Sequence, residues 1–168
     1  MEAARAAFAE FGADLPMEEI ARRAGVGIGT VYRHFPNKEV LLDALLADQL
    51  TLFLERTHAA LEKDDAWEAF RDMVRGGAAA QAEDMAFCEL VMSRKSTSRS
   101  DAVAALNAEL GAETRKLLER AKADGMRGDF EIDDMPAMWA SIAGAIRRTE
   151  SDAAWKRQVE FMLDGLRA

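Results

Sequence analysis

MEEIARRAGVGIGTVYRHFPNK, Met17 to Lys38, is the stretch that decides the fold. Pro16, just before it, has the fixed φ that suits the start of a helix. Glu18 and Glu19 fall in the first turn and Arg22 and Arg23 in the last, matching the helix dipole at both ends. Ile20 and Ala24 are spaced to face inward. Gly25 is a stop, because glycine takes the left-handed conformation that ends helices, and Val26 is expected to pack back. A further short helix runs from about Gly27 to Phe35, with Val31 and Phe35 inward at i and i+4. Two short helices around a glycine turn make a helix-turn-helix.

The second of these helices leaves Ile28, Thr30, Tyr32, Arg33 and His34 on its outer faces. On an arbitrary helix such a set is a solvated surface. After a glycine turn it occupies the place where a second helix enters a DNA major groove, and hydroxyl, phenol, guanidinium and imidazole groups all donate to phosphates. Gly29 is a poor helix former, disfavoured by ~1 kcal/mol against Ala. Its presence predicts close approach of the backbone to DNA or to another helix. Asn37 is a good N-cap for the next helix, which puts Lys38 in a first turn, where a cation is disfavoured unless an anion such as a DNA phosphate joins it.

Working outward, Ala4, Phe8 and Phe11 form the stripe of a first helix and Gly12 its stop. From Lys38, Leu41, Leu42, Leu45, Leu46, Leu50, Phe53 and Leu54 continue one long helix to about Leu61, a brace or a lever. The whole chain of 168 residues carries a net charge of −8 and few β-branched residues. This composition predicts an all-α protein long enough to bury a core. The lone Cys88 excludes an internal disulfide and fits a reducing cytoplasm. No signal peptide opens the chain, and no apolar run reaches the ~20 residues needed to span a bilayer.

Gly12, Ile20, Ala21, Ala24 to Val26, Gly29 to Tyr32, Phe35 and Lys38 together resemble the N-terminal signature of the tetracycline-repressor (TetR) family, over roughly the first 50 residues. The resemblance implies an all-α homodimer: a helix-turn-helix DNA-binding head, residues 1–48, linked by a long helix to an effector-binding and dimerisation body, residues 49–168. It implies a near-palindromic operator in double-stranded DNA and a small-molecule effector. By position, Gly27, Ile28, Thr30, Tyr32, Arg33 and His34 lie at or near the groove, with Lys38 on a phosphate. Two features depart from the family. Leu15 and Pro16 stand where a capping hydroxyl pair is usual, leaving Asp14 to cap, and no Lys/Arg-rich arm precedes the first helix. Between Met1 and Gln49 there are five Lys/Arg against eight Asp/Glu. Since non-specific DNA affinity rests on phosphate neutralisation, weak binding in moderate salt is expected.

In the body, Asp64 or Asp65 caps a helix striped by Trp67, Phe70 and Val74, with Gly76-Gly77 as a weak point. The segment Glu83 to Met92 is apolar, Ser93 to Ser100 reads as a loop, and a long helix then runs to Gly125. Aromatic and thioether side chains suit an adaptable pocket, so Phe53, Trp67, Phe70, Met73, Phe87, Val91 and Met92, with Arg56 as a polar contact, are the candidate effector site. At helical spacing the same residues also serve as core. After a loop from Gly125 to Asp134 come two final helices. The first has small residues on one face and the second is apolar on more than one face. Trp139, Ala140, Gly144, Trp155, Val159, Met162 and Leu166 are the expected dimer interface; the plainer alternative is a pair of core helices.

For catalysis there is little: two histidines, no phosphate-binding glycine loop, no paired Cys, and no His/Asp cluster at metal spacing. The expectation is a regulator, most simply a repressor, with no catalytic residue, metal or cofactor. The competing reading is a helical dimer whose acidic head has lost DNA binding and recruits proteins instead.

Overall fold

The computed structural model describes residues 1–11, 14–85, 100–149 and 151–168. Among these the architecture is all-α, with eight helices: α1 Glu2–Phe11, α2 Met17–Ala24, α3 Ile28–His34, α4 Lys38–Leu61, α5 Ala66–Glu83, α6 Asp101–Ala123, α7 Met135–Arg148 and α8 Asp152–Asp164. A 3-10 turn, Ile132–Asp134, precedes α7. The chain forms two compact units, one of Met1–Thr51 with Asp84–Leu106, the other of Leu52–Glu83 with Asn107–Ala168. The expected stop at Gly12 and the candidate residues Phe87, Val91 and Met92 lie outside the described residues.

The first unit is built on a small core of Ala4, Ala7, Phe8, Leu15, Met17, Ile20, Ala21, Val31, Leu41, Leu42 and Leu45, with Phe35 packed against it. The apolar stripe of α1 is thus Ala4, Ala7 and Phe8. Phe11, expected on that stripe, is about half exposed and instead lies under the Arg23 guanidinium, 4.1 Å from its ring centre. Ala24 also points to solvent, because α2 has already turned its inner face through Ile20 and Ala21. Asp14 does not cap α2. Pro16 holds the N-cap position with no side-chain hydrogen bond, so the first turn has no hydroxyl or carboxylate cap. Asn37 does cap α4: its Oδ1 accepts from Val40 N–H at 2.9 Å.

The second unit has a larger core in which Trp67, Phe70, Val74, Leu117, Leu118, Ile142, Trp155, Val159 and Leu163 are buried. Asp65 Oδ1 caps α5 by accepting from Glu68 N–H at 2.8 Å. The glycine pair of α5 is not a break, for the helix runs through it. Gly77 is small because Trp139 of α7 lies against it: a Cβ there would sit 3.0 Å from Cζ3 and nearer still to Cη2. Gly125 takes φ +96°, reversing the chain after α6. Its carbonyl accepts from Ala168 N–H at 2.9 Å, and Arg127 N–H donates to Leu166 O at 2.8 Å, so the chain end is fastened to this turn.

Candidate nucleic-acid interface

The turn between α2 and α3 is held by backbone alone. Gly25 adopts the left-handed conformation, φ 67° and ψ 25°. Val26 N–H donates to Ala21 O at 3.1 Å and Gly25 N–H to Arg22 O at 3.3 Å, the paired closure that ends helices on a left-handed residue. Val26 does not pack back; it is 44 % exposed. Gly27 is the N-cap of α3, and Val31 is the buried residue that fastens α3 to the unit.

Everything else on α3 faces outward. Ile28, Thr30, Tyr32, Arg33 and His34 are exposed, and Gly27 and Gly29 are exposed beside them. Among the described residues nothing beyond its own helix comes within 4 Å of a Cβ placed on Gly27 or Gly29. Gly29 is therefore not making room for another described helix of this chain. Lys38 is half-buried in the first turn of α4, immediately after the capping Asn37. The sequence-predicted DNA residues thus fall on one short helix and on the helix start that follows it.

The charge of this surface is arranged sparingly. Arg22 binds Glu19 with both Nε and Nη2, at 2.7 and 2.6 Å. Arg23 donates to Glu19 and to Glu10, each at 2.8 Å. The two guanidiniums, Arg22 before Arg23, hold the Glu19 carboxyl down to about 2. Exposed pairs of this kind contribute little stability, but they engage two of the cations of α2 with carboxylates. Among the described residues no carboxylate pairs with Arg33, which leaves it as the strongest donor on α3. Tyr32 Oη donates to Glu18 Oε1 at 3.5 Å, a long contact that rests the phenol against the start of α2. Sequence reading missed the exposed Val26, which extends the apolar part of this surface beside Ile28.

In the second unit the expected sites are redistributed. Trp67 and Phe70 stack at 6.2 Å and are buried in the core of this unit, with Phe130 edge-on to Phe70 at 6.4 Å. Phe53, Arg56 and Met73 are half-buried and gather with Trp139: the rings of Phe53 and Trp139 are 6.4 Å apart, and the Arg56 guanidinium lies 5.9 Å from the Phe53 ring. The stripe Trp155, Val159, Met162 and Leu166, assigned from sequence to a partner subunit, is the internal face of α8. Trp155 and Val159 are buried and the other two pack against the same core, as does Trp139. An i, i+4 stripe marks the buried face of a helix without naming the body that buries it. Of the expected interface set, Ala140 is exposed, and Gly144 is half-buried with nothing among the described residues within 4 Å of a Cβ. Phe161, left off the stripe, is 63 % exposed. Among the described residues, no group of His, Cys, Asp or Glu side chains is placed to hold a metal ion, and no helix is long and apolar enough to cross a membrane.

Comparison with known proteins agrees with this geometry. Residues 1–45 match the family model of bacterial regulatory proteins of the tetR family, and residues 64–168 match that of the C-terminal domain of SbtR-like transcriptional regulators. The TetR transcription regulatory protein of Mycobacterium vanbaalenii is 30% identical, with a TM-score of 0.67, over 99% of this chain and 92% of that one. The regulator FadR of Bacillus subtilis, solved in complex with stearoyl-CoA, shares the fold with a TM-score of 0.77 at 18% identity, over 99% of this chain and 95% of that one. The class C tetracycline repressor protein of Escherichia coli is 41% identical over 56 residues, which are 33% of this chain and a quarter (25%) of that protein. With an exposed helix-turn-helix followed by an all-α body, and with family models matched over both parts, the chain belongs to the TetR family of bacterial transcriptional regulators.

Proposed function

We propose that this chain is a ligand-responsive DNA-binding transcriptional regulator, a repressor released from its operator by a small molecule. It works in the cytoplasm as a homodimer, residues 1–48 serving as the DNA-binding domain and residues 49–168 as the effector-binding and dimerisation domain. The observation that carries this reading is the outward face of α3, where Ile28, Thr30, Tyr32, Arg33 and His34 are exposed beside two glycines with open space around them. Hydrogen-bonding groups read base edges, an aliphatic side chain meets a thymine methyl, and the missing Cβ atoms allow the backbone to approach the duplex. Lys38 neutralises a phosphate at the start of α4.

Two recognition helices about one DNA turn apart, ~34 Å, read two half-sites. The dimer face is the small-residue side of α7, with Ala140 and Gly144, together with the exposed Phe161 of α8. Effector binding favours a body conformation in which the two heads no longer match the groove spacing. The stearoyl-CoA bound to the Bacillus subtilis regulator supports a small molecule as the signal. Selection from random duplex DNA is the test. Recovery of a near-palindrome with half-sites one turn apart is expected; enrichment of no sequence overturns the reading.

A further inference from the structure

We infer that the effector is an acid: a small apolar molecule whose anionic group is anchored by Arg56, with its uncharged polar part read by Gln81. The inference rests on the proposal that the second unit binds a small molecule, and it names the chemistry of that molecule.

Among the described residues of this unit three buried polar atoms lack a hydrogen-bond partner: Arg71 Nε, whose guanidinium is already paired with Glu68 and Glu160, Arg56 Nη1 and Gln81 Oε1. Arg56 Nη1 on α4 is fully shielded from solvent and has no acceptor. Gln81 on α5 is only 6 % exposed, and its Oε1 has no donor. A buried group without its partner is costly, and more so for an ionised one. Such groups persist where a ligand completes them. By contrast Thr57, the buried polar residue next to Arg56 in the sequence, is satisfied: its hydroxyl donates to Phe53 O at 2.9 Å and lies 3.7 Å from Met73 Sδ.

The groups around the unmet atoms are those an apolar acid needs. Arg56 lies over the Phe53 ring, and Phe53 meets Trp139 at 6.4 Å. Trp139 rests against Gly77, and Gln81 follows Gly77 by one turn on the same face of α5. Along one run of contacts, helices α4, α5 and α7 thus carry an aromatic wall, a guanidinium nitrogen that lacks an acceptor and, one turn beyond Gly77, an amide oxygen that lacks a donor. A guanidinium fork fits a planar carboxylate or a phosphate oxygen pair.

The test is calorimetric titration of the full chain with naphthalene-2-carboxylate, octanoate and octyl phosphate, each paired with an uncharged control: naphthalene-2-carboxamide, octanamide and octanol. At least one acid is expected to bind and to change Trp139 fluorescence, while its neutral control binds about 10- to 100-fold more weakly. The carboxylate and phosphate arms identify the anion. Arg56→Met is expected to remove the preference for the acid while keeping the fold, checked by its unfolding midpoint, and Gln81→Leu should weaken the same acid. Equal binding of acid and neutral control, equal binding by Arg56→Met, or no binding by any of the three acids overturns the inference. Operator binding measured on the same samples separates the two proposals: acid binding without operator selection leaves this inference standing and removes the regulator reading.

Discussion

The indole edge of Trp139 occupies the space that a Cβ on Gly77 would need. Neighbouring Gly76, on the same helix, has nothing within 4 Å of that position among the described residues. The two glycines of one pair should therefore respond oppositely to the same substitution. Gly76→Ala gains the helix propensity of alanine, about 0.5–1 kcal/mol. Gly77→Ala gains the same term but forces a rigid ring, held against Phe53 and the core, to move, an overpacking cost of about 1–3 kcal/mol. Urea unfolding should show the first variant stabilised and the second destabilised, with Trp139→Phe relieving part of the Gly77→Ala loss. Equal shifts for both would remove the Trp139 contact from the account.

Lys38→Ala should weaken binding to every DNA sequence alike and lower the salt slope by ~1, as loss of one phosphate contact does. Fluorescence anisotropy over a salt series checks this. A changed base preference would place Lys38 at a base edge instead.

Glu160 contributes to the pH dependence of the second unit, alongside Asp72 and Asp129, whose carboxyls are also held low by basic neighbours. Arg75 binds it with Nε and Nη2, at 2.7 and 2.9 Å, and Arg71 adds a contact at 2.7 Å. These contacts, Arg75 first, pull its carboxyl from 4.5 to about 2. Because the folded pKa is the lower one, the stabilisation is full above 4.5 and is lost as pH falls toward 2, where the unfolded chain binds the proton first. The Glu160 side chain is 38 % exposed and solvent screens the pair, so Glu160→Gln should cost only about 0.5–1 kcal/mol near neutrality, and nothing once the pH is below 2. Chemical unfolding at pH 7 and in acid gives both values; a loss that persists unchanged in strong acid would contradict the ion-pair explanation.

Gly144→Trp tests the dimer face, since among the described residues nothing lies within 4 Å of the added Cβ. Sedimentation should show dissociation toward monomer with helix content preserved, and Phe161→Glu should act in the same direction. An unchanged dimer in both variants would move the interface elsewhere.

How far the sequence carries can be followed through particular residues. Period and caps placed the helices well: Gly25 ended α2, Asn37 opened α4 and Asp65 opened α5, because caps act through bonds to backbone a few residues away. The outward set on α3 was legible for the same reason, once Val31 was recognised as the inward residue. What the sequence could not show was which body covers an apolar face. Trp155 and Val159 carry the same spacing whether a partner subunit or their own core buries them, and Phe161 stood off the stripe because it is the exposed residue. Gln81 gave no sequence signal, since an unpartnered amide is defined only by what surrounds it. Nor could the Gly77–Trp139 contact be read, because 62 residues of chain separate its two sides.

The central claim is that an acidic chain with few spare cations still reads DNA sequence, and a competition titration tests it most directly. The selected operator and a scrambled duplex of equal length are compared as salt is raised. Two heads reading base edges predict a preference for the operator of at least about 10³-fold that persists while both affinities fall steeply with salt. Indistinguishable affinities for the two duplexes at every salt concentration would contradict the account.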